Sequence, residues 1–142
     1  MIVLIYVSIR CIFELMALNI FQEHIRLRQL TPLPGISGAE WWVQYKSEES
    51  LDRSAGIDLH YDKDEEIAAK YGVGVFPNLS TVTYLSCTES SLPTLILNSN
   101  PCNPVGDPIR EVFLSYPMLG KHVAFNGSLL HGTYSSTIFQ SS

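Results

Sequence analysis

Gly56-Ile57-Asp58-Leu59-His60-Tyr61-Asp62-Lys63-Asp64-Glu65-Glu66 is the stretch whose reading decides the fold. Read as a strand over Ile57 to Tyr61, its period of two turns His60 and Asp62 to one face and Leu59 and Tyr61 to the other. An imidazole and a carboxylate side by side, completed by a second imidazole from elsewhere, form a facial triad that holds a non-haem Fe(II) and leaves coordination positions open. Leu129-Leu130-His131-Gly132 offers that second imidazole. A structural account of Asp62 competes with this one. Asp64, Glu65 and Glu66 suit the positive N-terminal end of a short helix over Asp62 to Tyr71, closed by Gly72, and Asp62 would then be its N-cap. A His-x-Asp tripeptide arises readily by chance, so its surroundings have to carry the metal reading.

Length and composition bound those surroundings. A chain of 142 residues is long enough to bury one core. Apolar residues at 46% against 16% charged describe a globular protein and exclude general disorder. The net charge of -5 and a pI near 5.2, with nine Lys and Arg nowhere clustered, exclude a broad nucleic-acid surface. Cys11, Cys87 and Cys102 show no Cys-x-x-Cys spacing, which fits neither a disulfide framework nor a zinc knuckle. The expected location is therefore a reducing, intracellular one, cytoplasmic or nuclear. Ile2 to Ile9 is nearly all apolar, but Arg10, Glu14 and Asn19 interrupt it before the ~20 residues that a membrane span needs. A basic n-region and a small-residue cleavage site are also missing. The segment reads instead as a buried start running into an amphipathic helix with Phe13, Met16, Ile20 and Leu27 near one stripe, ended by Thr31-Pro32-Leu33-Pro34-Gly35.

From Gly38 onward the pattern is that of strands. Trp41 to Tyr45 is aromatic and β-branched, and Lys46 to Ser54 is a solvated loop. Leu79 to Leu85 alternates so that Ser80, Val82 and Tyr84 share a face. Further strands are expected at Pro93 to Leu97, Ile109 to Phe113, His122 to Phe125 and Leu129 to His131, divided by turns at 98–108, 117–120 and Asn126-Gly127. Many short strands with regular turn signals mean a β-sandwich or barrel. His122 reads as a satisfied barrel histidine and His24 as a solvated helix residue.

The order of an aromatic strand, His60-x-Asp62, Ser80-Thr81-Val82-Thr83-Tyr84-Leu85, Pro93-Thr94-Leu95, Gly120 to Gly127 and Leu130-His131-Gly132 resembles the 2-oxoglutarate- and Fe(II)-dependent oxygenase superfamily, nearest its prolyl-hydroxylase-like branch. The resemblance covers about Ala39 to the C-terminus. It implies a mainly β fold with an N-terminal helix: a double-stranded β-helix (jelly roll, cupin-like) over 37–142, with a helical segment over 1–36 packed on the barrel. It implies Fe(II) held by His60, Asp62 and His131, with 2-oxoglutarate as co-substrate and O2 as oxidant. The reaction would hydroxylate or demethylate an unidentified substrate, a small molecule or a protein side chain. The family often has a tyrosine that bonds the co-substrate at the position of Tyr84, whose strand alternation aims it inward. An Arg or Lys about ten residues past the distal histidine usually holds the far carboxylate, yet Gly132 to Ser142 contains no basic residue. Lys121 and Arg110 are then the available cations, and the chain is expected to stop short of the family's last strand. The alternative is a non-catalytic jelly roll that binds metal without turnover and serves as an interaction domain. A zinc hydrolase fits less well, because no residue stands out as its general base.

Overall fold

Among the described residues, five strands of four residues each, all paired antiparallel, lie between Ser80 and Thr133. The structure is a computed structural model that describes residues 11–34, 37–44, 56–88 and 91–133. The chain divides into two compact units, Met1–Lys46 and Ser47–Ser142.

In the first unit, α1 spans Ile12–Leu27. Its end precedes the prolines expected to stop it. Gln29 adopts φ 52°, Leu30 N–H donates to the Ile25 carbonyl at 3.0 Å and Gln29 N–H to the Arg26 carbonyl at 3.3 Å. This is a Schellman closure with glutamine where glycine is usual, a left-handed conformation that costs about 1–2 kcal/mol. The Arg26 guanidinium donates to Glu23 at 2.9 Å and holds its carboxyl below the usual carboxylate range. No helix of the described residues is long and apolar enough to cross a membrane. Trp41 to Gln44 form no strand, and Trp41 meets Phe13 with ring centroids 6.4 Å apart. Tyr45 and the expected loop over Lys46 to Ser54 lie outside the described residues, as do Gly35 and the apolar run Ile2 to Ile9.

In the second unit, α2 spans Glu65–Tyr71, and the strands are β1 Ser80–Thr83, β2 Thr94–Leu97, β3 Val112–Ser115, β4 His122–Phe125 and β5 Leu130–Thr133. They form two small antiparallel sheets, one of β1 and β4, the other in the order β3-β2-β5. His60 adds a one-residue bridge to β5. The pairings nest: His60 with His131, then β1 with β4, then β2 with β3. That is one long ribbon folded on itself, wound so that β2 also pairs with β5. The strand expected at Ile109 to Phe113 begins three residues later and ends two later, at Val112–Ser115. β2 ends at Leu97 opposite Val112, and beyond it the pairing is continued by the Asn98 N–H, which donates to the Glu111 carbonyl at 3.0 Å.

Opposite residues in a sheet share a face. One row of the larger sheet is therefore His60, His131, Ile96 and Phe113, and the next on the same face is Thr133, Thr94 and Ser115. On the smaller sheet Ser80 stands opposite Phe125 and Val82 opposite Val123. Among the described residues the buried apolar side chains are Ile96, Leu97 and Phe125, while Ser80, Thr94, Ser115 and His131 are buried as well. Buried polar groups carry more information than exposed apolar ones, and these cluster around the two rows just described.

Candidate metal centre

The Gly56–Asp62 segment reaches its place by an irregular seam. His60 and His131 exchange backbone hydrogen bonds, N–H to carbonyl at 2.8 and 3.0 Å, and Thr133 N–H donates to the Ile57 carbonyl at 2.9 Å. Ile57 to His60 takes three steps where His131 to Thr133 takes two, so the segment carries one extra residue, a bulge. The strand expected over Ile57 to Tyr61 is thus reduced to its bridge at His60. Two glycines permit the approach. A Cβ on Gly132 would lie 2.7 Å from the Ile57 carbonyl oxygen and 2.9 Å from that of Asp58, and one on Gly56 would lie 2.1 Å from that of Thr133.

His60, Asp62 and His131 each bring one ligand atom to a common point, all within 4.8 Å of one another, the one such group among the described residues. His60 Nε2 is 3.7 Å from Asp62 Oδ1, and His131 Nε2 is 3.6 Å from Asp62 Oδ2. These separations are too long for hydrogen bonds. His60 Nδ1 lies 2.7 Å from the Asp58 carbonyl and His131 Nδ1 lies 2.9 Å from the Leu129 carbonyl. A carbonyl only accepts, so each Nδ1 carries a proton and donates it, and in the neutral imidazole each Nε2 then turns its lone pair toward the carboxylate. Three Lewis bases converging without a donor between them suit a cation, and the carbonyl partners fix the imidazoles in the ligating tautomer. Metal bonds of ~2.1 Å put neighbouring ligand atoms ~3.0–3.4 Å apart, so a small inward movement of side chains completes the coordination. Neither histidine nor an aspartate is specific to iron, and the donor set accommodates Fe(II) as it does Mn(II).

The centre is open on one side. Side-chain exposure falls from 37% at His60 to 15% at Asp62 and 8% at His131, so the group faces solvent on the His60 side. On the closed side Ser80 Oγ donates to Asp62 Oδ2 at 2.5 Å, and the Phe125 ring meets His131 edge-on at 4.8 Å.

The N-cap of α2 is Asp64, not Asp62: Asp64 Oδ1 accepts the Ile67 N–H at 2.8 Å. Asp62 is thereby released from the structural role that competed with ligation. Gly72 does close the helix, at φ 66°. Both aspartates precede the same acidic run, and only the start of the helix distinguishes them.

Tyr84 extends the β1–β4 pairing by one step, its N–H donating to the Lys121 carbonyl at 3.0 Å. Its hydroxyl donates to the Ser115 carbonyl at 2.9 Å and lies 2.8 Å from Thr94 Oγ1, tying the smaller sheet to the larger. Lys121 Nζ is 6.0 Å from the centre of the Tyr84 ring and donates to the Tyr116 carbonyl at 2.9 Å. Arg110 is exposed on the segment before β3. Tyr84 and Lys121 are thus neighbours, and Arg110 is not shown beside them. His122 faces out of the β1–β4 ladder, with Nδ1 2.7 Å from Thr83 Oγ1.

Ser80, Phe125, Gly56 and Gly132 are the site residues that sequence reasoning missed. The shared face of Ser80 and Tyr84 was a signal for the first, but the glycines act through contacts with a remote backbone. Comparisons with protein-family models, with curated proteins and with solved structures return no match to this chain.

Proposed function

We propose that the chain is a non-haem Fe(II) oxygenase that uses 2-oxoglutarate and O2, its metal held by His60, Asp62 and His131. One observation carries the reading: two imidazoles with Nδ1 committed to carbonyls turn both Nε2 atoms on a single carboxylate, at 3.6 and 3.7 Å. Fe(II) bound there supplies the redox chemistry, in which O2 converts 2-oxoglutarate to succinate and CO2 and delivers one oxygen atom to a substrate C–H bond. The nested ribbon supports a jelly roll, or double-stranded β-helix, as the frame. In this reading Tyr84, one step past β1 on the face that Ser80 shares, and its cross-strand neighbour Lys121 are the hydroxyl and the positive charge for the far carboxylate. The open His60 side admits the substrate.

A second reading, a jelly roll that binds metal without turnover, draws on the state of those two residues. The Tyr84 hydroxyl is already engaged by Ser115 and Thr94, and Lys121 by the Tyr116 carbonyl. Two measurements separate the readings. Anaerobic calorimetry with Mn(II) should give one site in the wild type and none in His60→Ala, Asp62→Ala or His131→Ala; equal affinity in all four removes the metal centre. With Fe(II) under air, succinate release that falls at least tenfold in Tyr84→Phe supports the oxygenase. Metal binding without succinate leaves the non-catalytic domain.

A further inference from the structure

Ser80 and Phe125 are a cross-strand pair at one end of the β1–β4 ladder, and each meets one member of the triad. Phe125 packs its ring on His131, while Ser80 donates to Asp62 Oδ2 at 2.5 Å. Both are buried, with 9% and 6% exposure. The two imidazoles do not choose between the oxygens of Asp62. His60 Nε2 lies 3.7 Å from Oδ1 and His131 Nε2 lies 3.6 Å from Oδ2, so the carboxylate straddles them almost evenly. The serine breaks that symmetry.

We propose that Ser80 is a positioning residue that makes Asp62 a one-oxygen ligand, and so sets the number of open positions on the metal. The inference rests on the metal centre proposed above. A carboxylate can ligate through one oxygen or through both. A hydroxyl donating to a carboxylate makes a short, charge-assisted bond that draws electron density from the oxygen it meets. Oδ2 is therefore the poorer ligand atom, and Oδ1 is presented to the metal. In a six-coordinate ion, two imidazoles and one oxygen leave three positions, enough for a chelating acid at two of them and a further small molecule at the third. With both oxygens bound, two positions remain, and a chelating acid fills them. Ser80 is thus the difference between a centre that takes a chelator and a second ligand together and one that takes the chelator alone.

The test uses the full chain loaded with Mn(II), whose bound waters relax the bulk water protons in proportion to their number. Wild type should hold three such waters. Ser80→Ala should hold two, a loss of about one third of the inner-sphere relaxation, and a chelating 2-oxo acid should displace both of its waters where the wild type keeps one. Ser80→Thr, which keeps the hydroxyl, should restore both values. Equal relaxation in wild type and Ser80→Ala overturns the proposal, as does a loss in Ser80→Thr equal to that in Ser80→Ala. The infrared spectrum of the Mn(II)-loaded wild type provides a check that needs no variant. A wide separation of the Asp62 carboxylate stretches, identified by their loss in Asp62→Asn, supports one-oxygen binding, and a narrow one overturns it. Failure of the wild type to bind Mn(II) at all refutes the metal centre itself, a result distinct from a loaded centre in which Ser80 makes no difference.

Discussion

Gly132→Ala tests the seam that brings the two histidines together. The added methyl would sit 2.7 Å from the Ile57 carbonyl oxygen and 2.9 Å from that of Asp58. Both obstacles are backbone, so no side-chain rotation relieves them. The seam must open, and it holds three backbone hydrogen bonds: the reciprocal His60–His131 pair at 2.8 and 3.0 Å and Thr133 to Ile57 at 2.9 Å. At about 1 kcal/mol each, their loss amounts to about 3 kcal/mol. Set against a total stability of about 5–15 kcal/mol, that is a large fraction. At about 4–8 °C per kcal/mol for a unit of this size, the midpoint of thermal unfolding should fall by more than 10 °C. Opening also carries His60 and Asp62 away from His131, so Mn(II) affinity should fall at least tenfold. Urea denaturation at constant m-value gives the stability change, and anaerobic calorimetry gives the affinity. A variant within about 0.5 kcal/mol of wild type, with unchanged Mn(II) binding, would refute the argument that glycine is required there.

Two further predictions concern residues away from the ligand atoms. Asp64→Ala removes the side-chain cap of α2 and should cost about 1 kcal/mol in urea denaturation while leaving Mn(II) affinity unchanged; an equal loss of affinity would mean that the two neighbouring aspartates share roles. Ser115 Oγ is buried without a hydrogen-bond partner, and an unpaired buried hydroxyl costs about 1–3 kcal/mol. Ser115→Ala should therefore hold or raise the thermal midpoint, and a fall of several degrees would show that the hydroxyl is paired in solution.

His60, Asp62 and His131 were legible in the sequence as a group, and the structure brings their ligand atoms within 4.8 Å of one another, although the segment carrying the first two is paired as a strand only at His60. So were the strand His122–Phe125, found where its β-branched and aromatic residues lie between turn signals, and the glycine that closes α2. Period two also turned Tyr84 and Ser80 to one face. The sequence could not say which aspartate capped α2, since Asp62 and Asp64 have the same local chemistry and differ only in where the helix begins. Nor could it locate β3. A strand's limits belong to its partner, and β2 is only four residues long. The remaining decisions are those of tertiary contact. Ser80 holds Asp62 from 18 positions away in the chain, and Gly56 contacts Thr133 across the seam. Periodicity describes the direction of a side chain along its own segment, whereas register, bulges and close approaches are fixed by the segment on the other side, which only the folded chain brings there.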